Sequence, residues 1–198
     1  MSMDEIKSPE RQEKILLALA HRQPSLTVVL ENIHDPHNVS AILRSCDAVG
    51  VLEVHLLYTI EPFPEVANPA SRGTHKWLEF TRHDSAALCF THLRSKGFRI
   101  LATRIDPNAK PLYEHNLTEP TAFVLGNEHR GISEEAARLS DSQIYIPMMG
   151  MAESLNVSVA AAVCLFEAFR QRNEHGMYET PQLSPEILRS KNLEWLLK

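Results

Sequence analysis

Short β-rich apolar runs alternate with helix-patterned stretches along most of this chain, and that alternation constrains its fold more than any other feature. Leu26 to Ile33, Val51 to Tyr58, Trp77 to Phe80, Phe98 to Arg104, Thr121 to Gly126 and Gln143 to Pro147 read as strands. Helices fit between most of them. Asn38 to Val49 stops at Gly50 and Asp84 to Lys96 stops at Gly97, each glycine standing where a left-handed C-terminal cap is expected. This order predicts an α/β fold, a mostly parallel sheet with helices on both faces. A helical preface opens at Ser8-Pro9-Glu10, an N-cap with proline at the first helical position, and stops before Pro24. Ser184-Pro185-Glu186 starts a short terminal helix in the same way, packing on the domain or on a partner. Between them, Leu155, Val159, Ala162, Val163, Phe166 and Phe169 keep one face of a helix, which reads as core. The long irregular stretch Thr59 to His75, with Pro62, Pro64 and Pro69, is a candidate substrate loop, because loops of that length are more often functional than idle.

Composition narrows the function classes. The 198 residues carry 20 Lys plus Arg against 25 Asp plus Glu, a formal charge of -5, which argues against a surface that embraces nucleic acid all round but leaves room for a local basic face. The apolar stretches fall short of the roughly 20 residues a membrane span needs. Met1 to Glu13 alternates acid and base with no apolar signal core, so a soluble, cytoplasmic protein is expected. Cys46, Cys89 and Cys164 are odd in number and embedded in apolar segments, as reduced core thiols would be.

Several familiar chemistries do not fit. Gly126-Asn127-Glu128-His129-Arg130-Gly131-Ile132-Ser133 follows a strand and opens a helix, yet a phosphate-binding lysine is missing and Glu128 would repel a phosphate. No two glycines have the Gly-x-Gly spacing of a dinucleotide site. His34 and His37 flank a turn without further ligands at a recognisable spacing, so no metal is expected. A reactive cysteine would need an electropositive pocket, and each cysteine sits among Leu, Ala, Val or Phe instead.

What remains is three polar clusters where strands give way to helices, the place where open α/β sheets hold ligands. Glu31 to Gly50 contains Asn38 and Arg44. On a bland reading Asn38 caps the helix and Arg44 pairs with Asp47. Gly126 to Gly131 is the second cluster. The third is Ile146 to Ala160, where a glycine and methionine loop meets Ser154 and Asn156 at the head of a long apolar helix. Such a place suits an uncharged adenosine with a methionine-like tail better than a polyphosphate, or serves only to start the helix.

Taken together the clusters closely resemble the three motifs of the SpoU or TrmH family of tRNA ribose 2'-O-methyltransferases, in the SPOUT class. Asn38 through Arg44 to Gly50 looks like the first, Leu125-Gly126-Asn127-Glu128 with Gly131 like the second, and Pro147 through Gly150 to Ser154-Leu155-Asn156-Val157-Ser158-Val159-Ala160 like the third. The likeness runs from about residue 14 to residue 178. It implies a deep trefoil knot on the C-terminal side of the sheet, which the general rarity of knots would otherwise argue against. It also implies a homodimer, S-adenosylmethionine bound near Thr103, Leu125, Gly126, Ile146, Met151 and Leu155, and a tRNA substrate. Arg44 would be the central catalytic residue, with Asn38, Glu128, Ser154 and Asn156 arranging it and the substrate. The implied organisation is a helical extension over 1–24, the methyltransferase domain over 25–174 and a short extension over 175–198.

Within the family the likeness is most pronounced to members that methylate guanosine 18 of the D loop, through Arg22-Gln23-Pro24, Pro36 to Ile42 and Gly176-Met177-Tyr178. Methylation of another tRNA position or of rRNA is the same chemistry on a different address, and a non-catalytic RNA-binding member is the other alternative. Arg11, Lys14, Arg22, Arg72, Lys76, Arg82, Arg130, Arg170 and Arg172 are the candidates for a basic face.

Overall fold

The computed structural model describes residues 8–64 and 73–198. In chain order these form α1 (Pro9–Ala20), β1 (Leu26–Glu31), α2 (Pro36–Ala48), β2 (Glu53–Leu57), β3 (Glu79–His83), α3 (Ala86–Ser95), β4 (Arg99–Thr103) and β5 (Lys110–Pro111). β6 (Thr121–Leu125), α4 (Glu134–Leu139), β7 (Ser142–Tyr145), α5 (Val157–Glu174) and α6 (Pro185–Leu196) complete them, with 3-10 turns at Thr74–Trp77 and Leu112–Glu114. The strands make one seven-stranded sheet in the order β3-β2-β1-β6-β4-β7-β5, every pairing parallel. That is the predicted α/β architecture.

Alternate strand residues feed two separate cores, as the pleat requires. Val28, Leu30, Val54, Leu56, Leu101 and Phe123 meet α2 and α5 on one face. Val29, Leu57, Ile100, Ala102, Ala122 and Val124 meet α3 and α4 on the other. Because both faces are covered, the strands read as near-continuous apolar runs. Ser8, Ser85 and Ser184 each accept a hydrogen bond from a backbone N–H in the first turn of the helix they cap. Gly50 and Gly97 follow α2 and α3 at φ of 84° and 82°, the left-handed conformation expected of them. All three cysteines are free and buried, and burial pushes Cys89 and Cys164 up to about 12.

Several elements depart from the sequence pattern. β3 starts later than the Trp77 to Phe80 run suggests, because Thr74–Trp77 winds into a turn that sets Trp77 against Trp195 of α6, ring centroids 5.0 Å apart. The terminal helix thus packs on the chain itself: Ile15, Leu19, Leu52, Leu183 and Trp195 join α1 to α6. In α5 the buried stripe is Ala161, Cys164, Leu165, Ala168 and Arg172. The stripe read as core lies to its side, with Val159 48% and Phe166 49% exposed. Of the candidate substrate loop, residues 65–72, including Pro69 and Arg72, lie outside the described residues.

Arg172 and Arg22 are not surface residues. Arg172 is fully buried: Nε donates to the Leu117 carbonyl, Nη1 to Ser25 Oγ and Gln23 Oε1, and Nη2 to the Ser25 and Glu119 carbonyls, at 2.8 to 3.2 Å. One guanidinium thereby ties α5 to the entrances of β1 and β6. Burial pulls its pKa down to about 10, which leaves it charged at neutral pH. Arg22 donates to Asp47 and to the Val51 carbonyl, and stacks over Trp195.

β7, the last strand in the chain, lies between β4 and β5, which are neighbours in sequence. The 104–109 connection therefore crosses past the carboxyl end of β7, where the Arg104 N–H donates to the Ile144 carbonyl at 3.0 Å. Arg172→Met, which keeps much of the volume but strands these acceptors, is expected to destabilise the chain by about 3–5 kcal/mol, since each buried unpaired polar group costs roughly 1–3 kcal/mol. Urea denaturation, read as a lowered midpoint at constant slope, checks this.

Candidate active site at the carboxyl ends of the strands

A cavity of about 520 Å³ opens where β4, β6 and β7 end. Thr103, Gly126, Ile144, Ile146, Met148, Leu155 and Val157 give it a largely apolar wall, and Asn127, Glu128, Ser154 and Asn156 supply polar groups. Its size lies in the range of small-molecule sites, roughly 300–1,000 Å³. Four of the six residues assigned to the cofactor line it: Thr103, Gly126, Ile146 and Leu155. Leu125 is wholly buried just beneath, and Met151 is 99% exposed and outside the lining.

The glycines of the second cluster permit a tight turn. A Cβ on Gly126 would sit 2.3 Å from the Gly131 carbonyl carbon, so only glycine allows the two backbone segments to touch. Asn127 and Gly131 exchange backbone hydrogen bonds at 3.0 and 2.8 Å across this pinch. The Asn127 side chain accepts from the His129 and Arg130 N–H groups and donates to the Asn32 carbonyl at 2.8 Å. Asn32, at φ of 49°, accepts in turn from the Thr59 and Ile60 N–H groups. Buried Glu31 accepts from the Ser133 N–H at 3.0 Å, ahead of α4. Asn127, Asn32 and Glu31 are thus organising residues that the sequence quoted without assigning a role. The signal was a pair of polar residues closing an otherwise apolar strand.

At the mouth of the cavity three segments are joined by side chains. Asn156 Nδ2 donates to Asn38 Oδ1 at 3.0 Å, and Asn38 Nδ2 donates to Glu128 Oε1 at 2.9 Å. Glu128 also accepts from the His34 and Asp35 N–H groups at 3.0 and 3.1 Å. Partial burial pushes the Glu128 carboxyl up, but the bonds from Asn38, His34 and Asp35 outweigh it and hold the pKa below its ordinary value. Asn156 is spent at both ends, because its Oδ1 caps α5 by accepting from the Ser158 N–H at 2.8 Å.

The bland readings of the first cluster do not hold. Asp35 caps α2, accepting from the His37 N–H, with Pro36 in the first turn. Asn38 lies inside the helix, 8% exposed, its side chain turned to Glu128 and Asn156. Asp47 is engaged by Arg22, not by Arg44. Arg44 is exposed, lies outside the cavity lining, and makes no hydrogen bond or ion pair among the described residues. Ser154 is exposed beside the cavity.

The basic candidates are thinned by the fold. Arg22 and Arg172 are buried, Arg72 lies outside the described residues, Arg130 pairs with Glu61, and Arg170 is held between Glu167 and Glu174. Lys14, Lys76 and Arg82 are exposed, with Arg82 over the Phe63 ring, and Arg11 is half-exposed. His34 and His37 belong to no group of three ligand-type side chains among the described residues.

A strand-end cavity, a pinched glycine turn and a hydrogen-bonded bridge from α2 to the head of α5 define a SpoU-type methylase. The SpoU rRNA methylase family model matches residues 25–166, and the chain belongs to that family. It is 47% identical over 192 residues to a tRNA (guanosine(18)-2'-O)-methyltransferase of Thermus thermophilus, covering 97% of this chain and 98% of the relative. The crystal structure of the A. aeolicus TrmH/SpoU tRNA modifying enzyme superposes with a TM-score of 0.89 at 38% identity, over 95% of each chain. An AdoMet-bound rRNA methyltransferase from Sinorhizobium meliloti superposes with a TM-score of 0.66 at 26% identity, over 78% of this chain and 59% of that one.

Since Glu128 is held below its ordinary value of 4.5, its grip on the His34 and Asp35 amides is present at neutral pH. It is lost only as pH falls through the lowered pKa. Amide exchange at His34 and Asp35, corrected for the intrinsic pH dependence, is expected to stay protected at pH 5 to 8 and to rise selectively below about 4.5. In Glu128→Ala the protection should be absent across that range.

Proposed function

We propose that this protein transfers a methyl group from S-adenosylmethionine to the 2'-hydroxyl of guanosine 18 in the D loop of tRNA. The observation that carries the reading is the bridge Asn156–Asn38–Glu128 at the rim of the cavity, which joins three segments distant in sequence at one point. The family membership and the 47% identity to the Thermus enzyme over nearly the whole chain support the chemistry and the address.

The residues fit the cofactor. The apolar wall of Ile144, Ile146, Met148 and Leu155 suits an adenine and a thioether-like tail, and the Gly126 pinch lets backbone donors and acceptors approach without a side chain in the way. When bound, S-adenosylmethionine supplies an electrophilic methyl on a sulfonium. The chain's own task is to place the ribose hydroxyl in line with it, and positioning contributes much of the rate in such a transfer. Arg44, exposed and uncommitted, grips the RNA phosphate next to the target ribose and stabilises the alkoxide that develops as the hydroxyl loses its proton. Asn38, Glu128 and Asn156 hold the rim rigid, and Ser154 stands beside the cavity to contact the substrate.

The reading extends to assembly. The half-exposed stripe Leu155, Val159 and Phe166 runs along α5 from the cavity mouth, and an apolar face of that kind suits a second copy, so the protein acts as a homodimer with its sites beside the interface. The position of β7 between β4 and β5, with the 104–109 connection passing its end, supports a chain threaded as a deep trefoil knot. The extension over 1–24, the catalytic domain over 25–174 and the tail over 175–198 act as one unit through the α1 and α6 contact. No helix of the described residues is long and apolar enough to cross a membrane, which accords with work on tRNA in the cytoplasm.

The experiment is methyl transfer from labelled S-adenosylmethionine to unmodified tRNA transcripts, followed by alkaline digestion. Label is expected in an alkali-resistant dinucleotide that begins with guanosine 18. Arg44→Ala is expected to lower the rate at least 100-fold, on the order of other lost transition-state contacts, with cofactor affinity unchanged. Label at another nucleotide or turnover by Arg44→Ala contradicts the assignment. Phe166→Glu should convert the dimer to a monomer in light scattering.

A further inference from the structure

A second cluster of chemically active side chains stands on the opposite face of the sheet from α2 and α5, remote from the cavity. β2 turns Glu53 and His55 to the face covered by α3, and the register sets Glu79, Thr81 and His83 of β3 beside Glu53, His55 and Leu57. α3 contributes His92, whose ring meets that of His55 edge-on with centroids 5.7 Å apart. A carboxylate oxygen of Glu53 and one ring nitrogen each of His55 and His92 lie within 4.8 Å of one another.

The hydrogen bonding of these rings is incomplete in a particular way. His55 is wholly buried, and its Nδ1 lies 3.0 Å from His83 Nε2, so the two nitrogens share one proton. Its other nitrogen, Nε2, is buried without a hydrogen-bond partner, and so is Nε2 of His92. A buried polar atom left unpaired is costly and demands an explanation. With the shared proton on His55 Nδ1 and accepted by His83, Nε2 of His55 becomes a bare lone pair directed by a neighbour. That is how metal-ligating histidines are usually held, their second nitrogen donating to a fixed acceptor. Glu53 is oriented as well, Thr81 Oγ1 donating to one carboxylate oxygen at 2.5 Å and Lys96 Nζ to the other at 3.1 Å.

We propose that Glu53, His55 and His92 form a binding site for one divalent zinc-like cation, with His83 as the positioning residue behind His55. Two imidazoles and a carboxylate are a donor set of the borderline kind that zinc favours, and a water fills the fourth position. At metal–donor distances of about 2.1 Å, tetrahedral donors stand about 3.4 Å apart, so the three side chains close by roughly an ångström through rotation about their own bonds. Lys96, which follows α3 and is exposed, gives up its bond to Glu53 and swings into solvent. The cation would fasten α3 to the outer strands of the sheet, a region that adds nothing to the cavity lining.

The test uses the full chain stripped with a chelator and titrated with Zn2+ alone. Calorimetry is expected to show one equivalent bound per chain, thermal melting to shift upward with added Zn2+, and Co2+ substitution to give the absorption bands of a four-coordinate nitrogen and oxygen site. His92→Gln sits on the half-buried face of α3 and should fold; there the affinity should drop on the order of 100-fold, with S-adenosylmethionine binding intact as a check on folding. His83→Phe should weaken binding about 10-fold through His55 alone. Failure of the wild-type chain to bind Zn2+ at micromolar concentration, or equal binding by His92→Gln, overturns the site.

Discussion

The side-chain amide of Asn38 is the joint on which the proposed site depends. Its nitrogen can only donate and its oxygen can only accept, so one orientation serves both neighbours: the nitrogen to Glu128 and the oxygen to Asn156. Glu128 sits in the pinched loop after β6, and Asn156 heads α5. A buried amide with both ends used therefore fixes the distance between α2, that loop and α5, and with it the width of the cavity mouth. Because the carboxylate is held ionised by backbone donors as well, the joint does not loosen at neutral pH.

The polarity of the rest of the molecule follows the same logic of complete partnership. Arg172 carries a positive charge into the interior with no acidic neighbour, and this is tolerated because five acceptors surround it. Arg22 is buried against Asp47 and a carbonyl in the same way. Neither residue can serve a nucleic acid. The exposed and unpaired Arg44 stands in contrast, and that contrast between satisfied and unsatisfied arginines separates the residues that hold the fold from the one available to a substrate.

Much of this was legible in the sequence, for identifiable reasons. The strands of a doubly covered sheet are apolar on both sides, so Leu26 to Ile33 and Thr121 to Gly126 announce themselves, and serine-proline starts locate α1 and α6. The two-residue β5 has no pattern to read, and β3 is displaced by a turn that exists only because Trp77 finds Trp195. The α5 stripe was misjudged because that helix is apolar on two sides, and periodicity alone does not say which side faces the sheet. The motifs brought Asn38, Glu128 and Asn156 together correctly. The roles of Asp35 and Asn38 at the start of α2 were exchanged, since either can cap a helix by chemistry alone.

The place of β7 in the sheet also sets an order of events. β5 pairs with β7 and with no other strand among the described residues, so Lys110 and Pro111 have no ladder to join until residues 142–145 exist. As the chain leaves the ribosome, β1 through β4 and β6 can assemble while the 104–120 connection is still an unclosed loop. The sheet edge is then completed backwards, by a late segment entering beside an early one, and the cavity at its carboxyl end comes into being only with that final insertion.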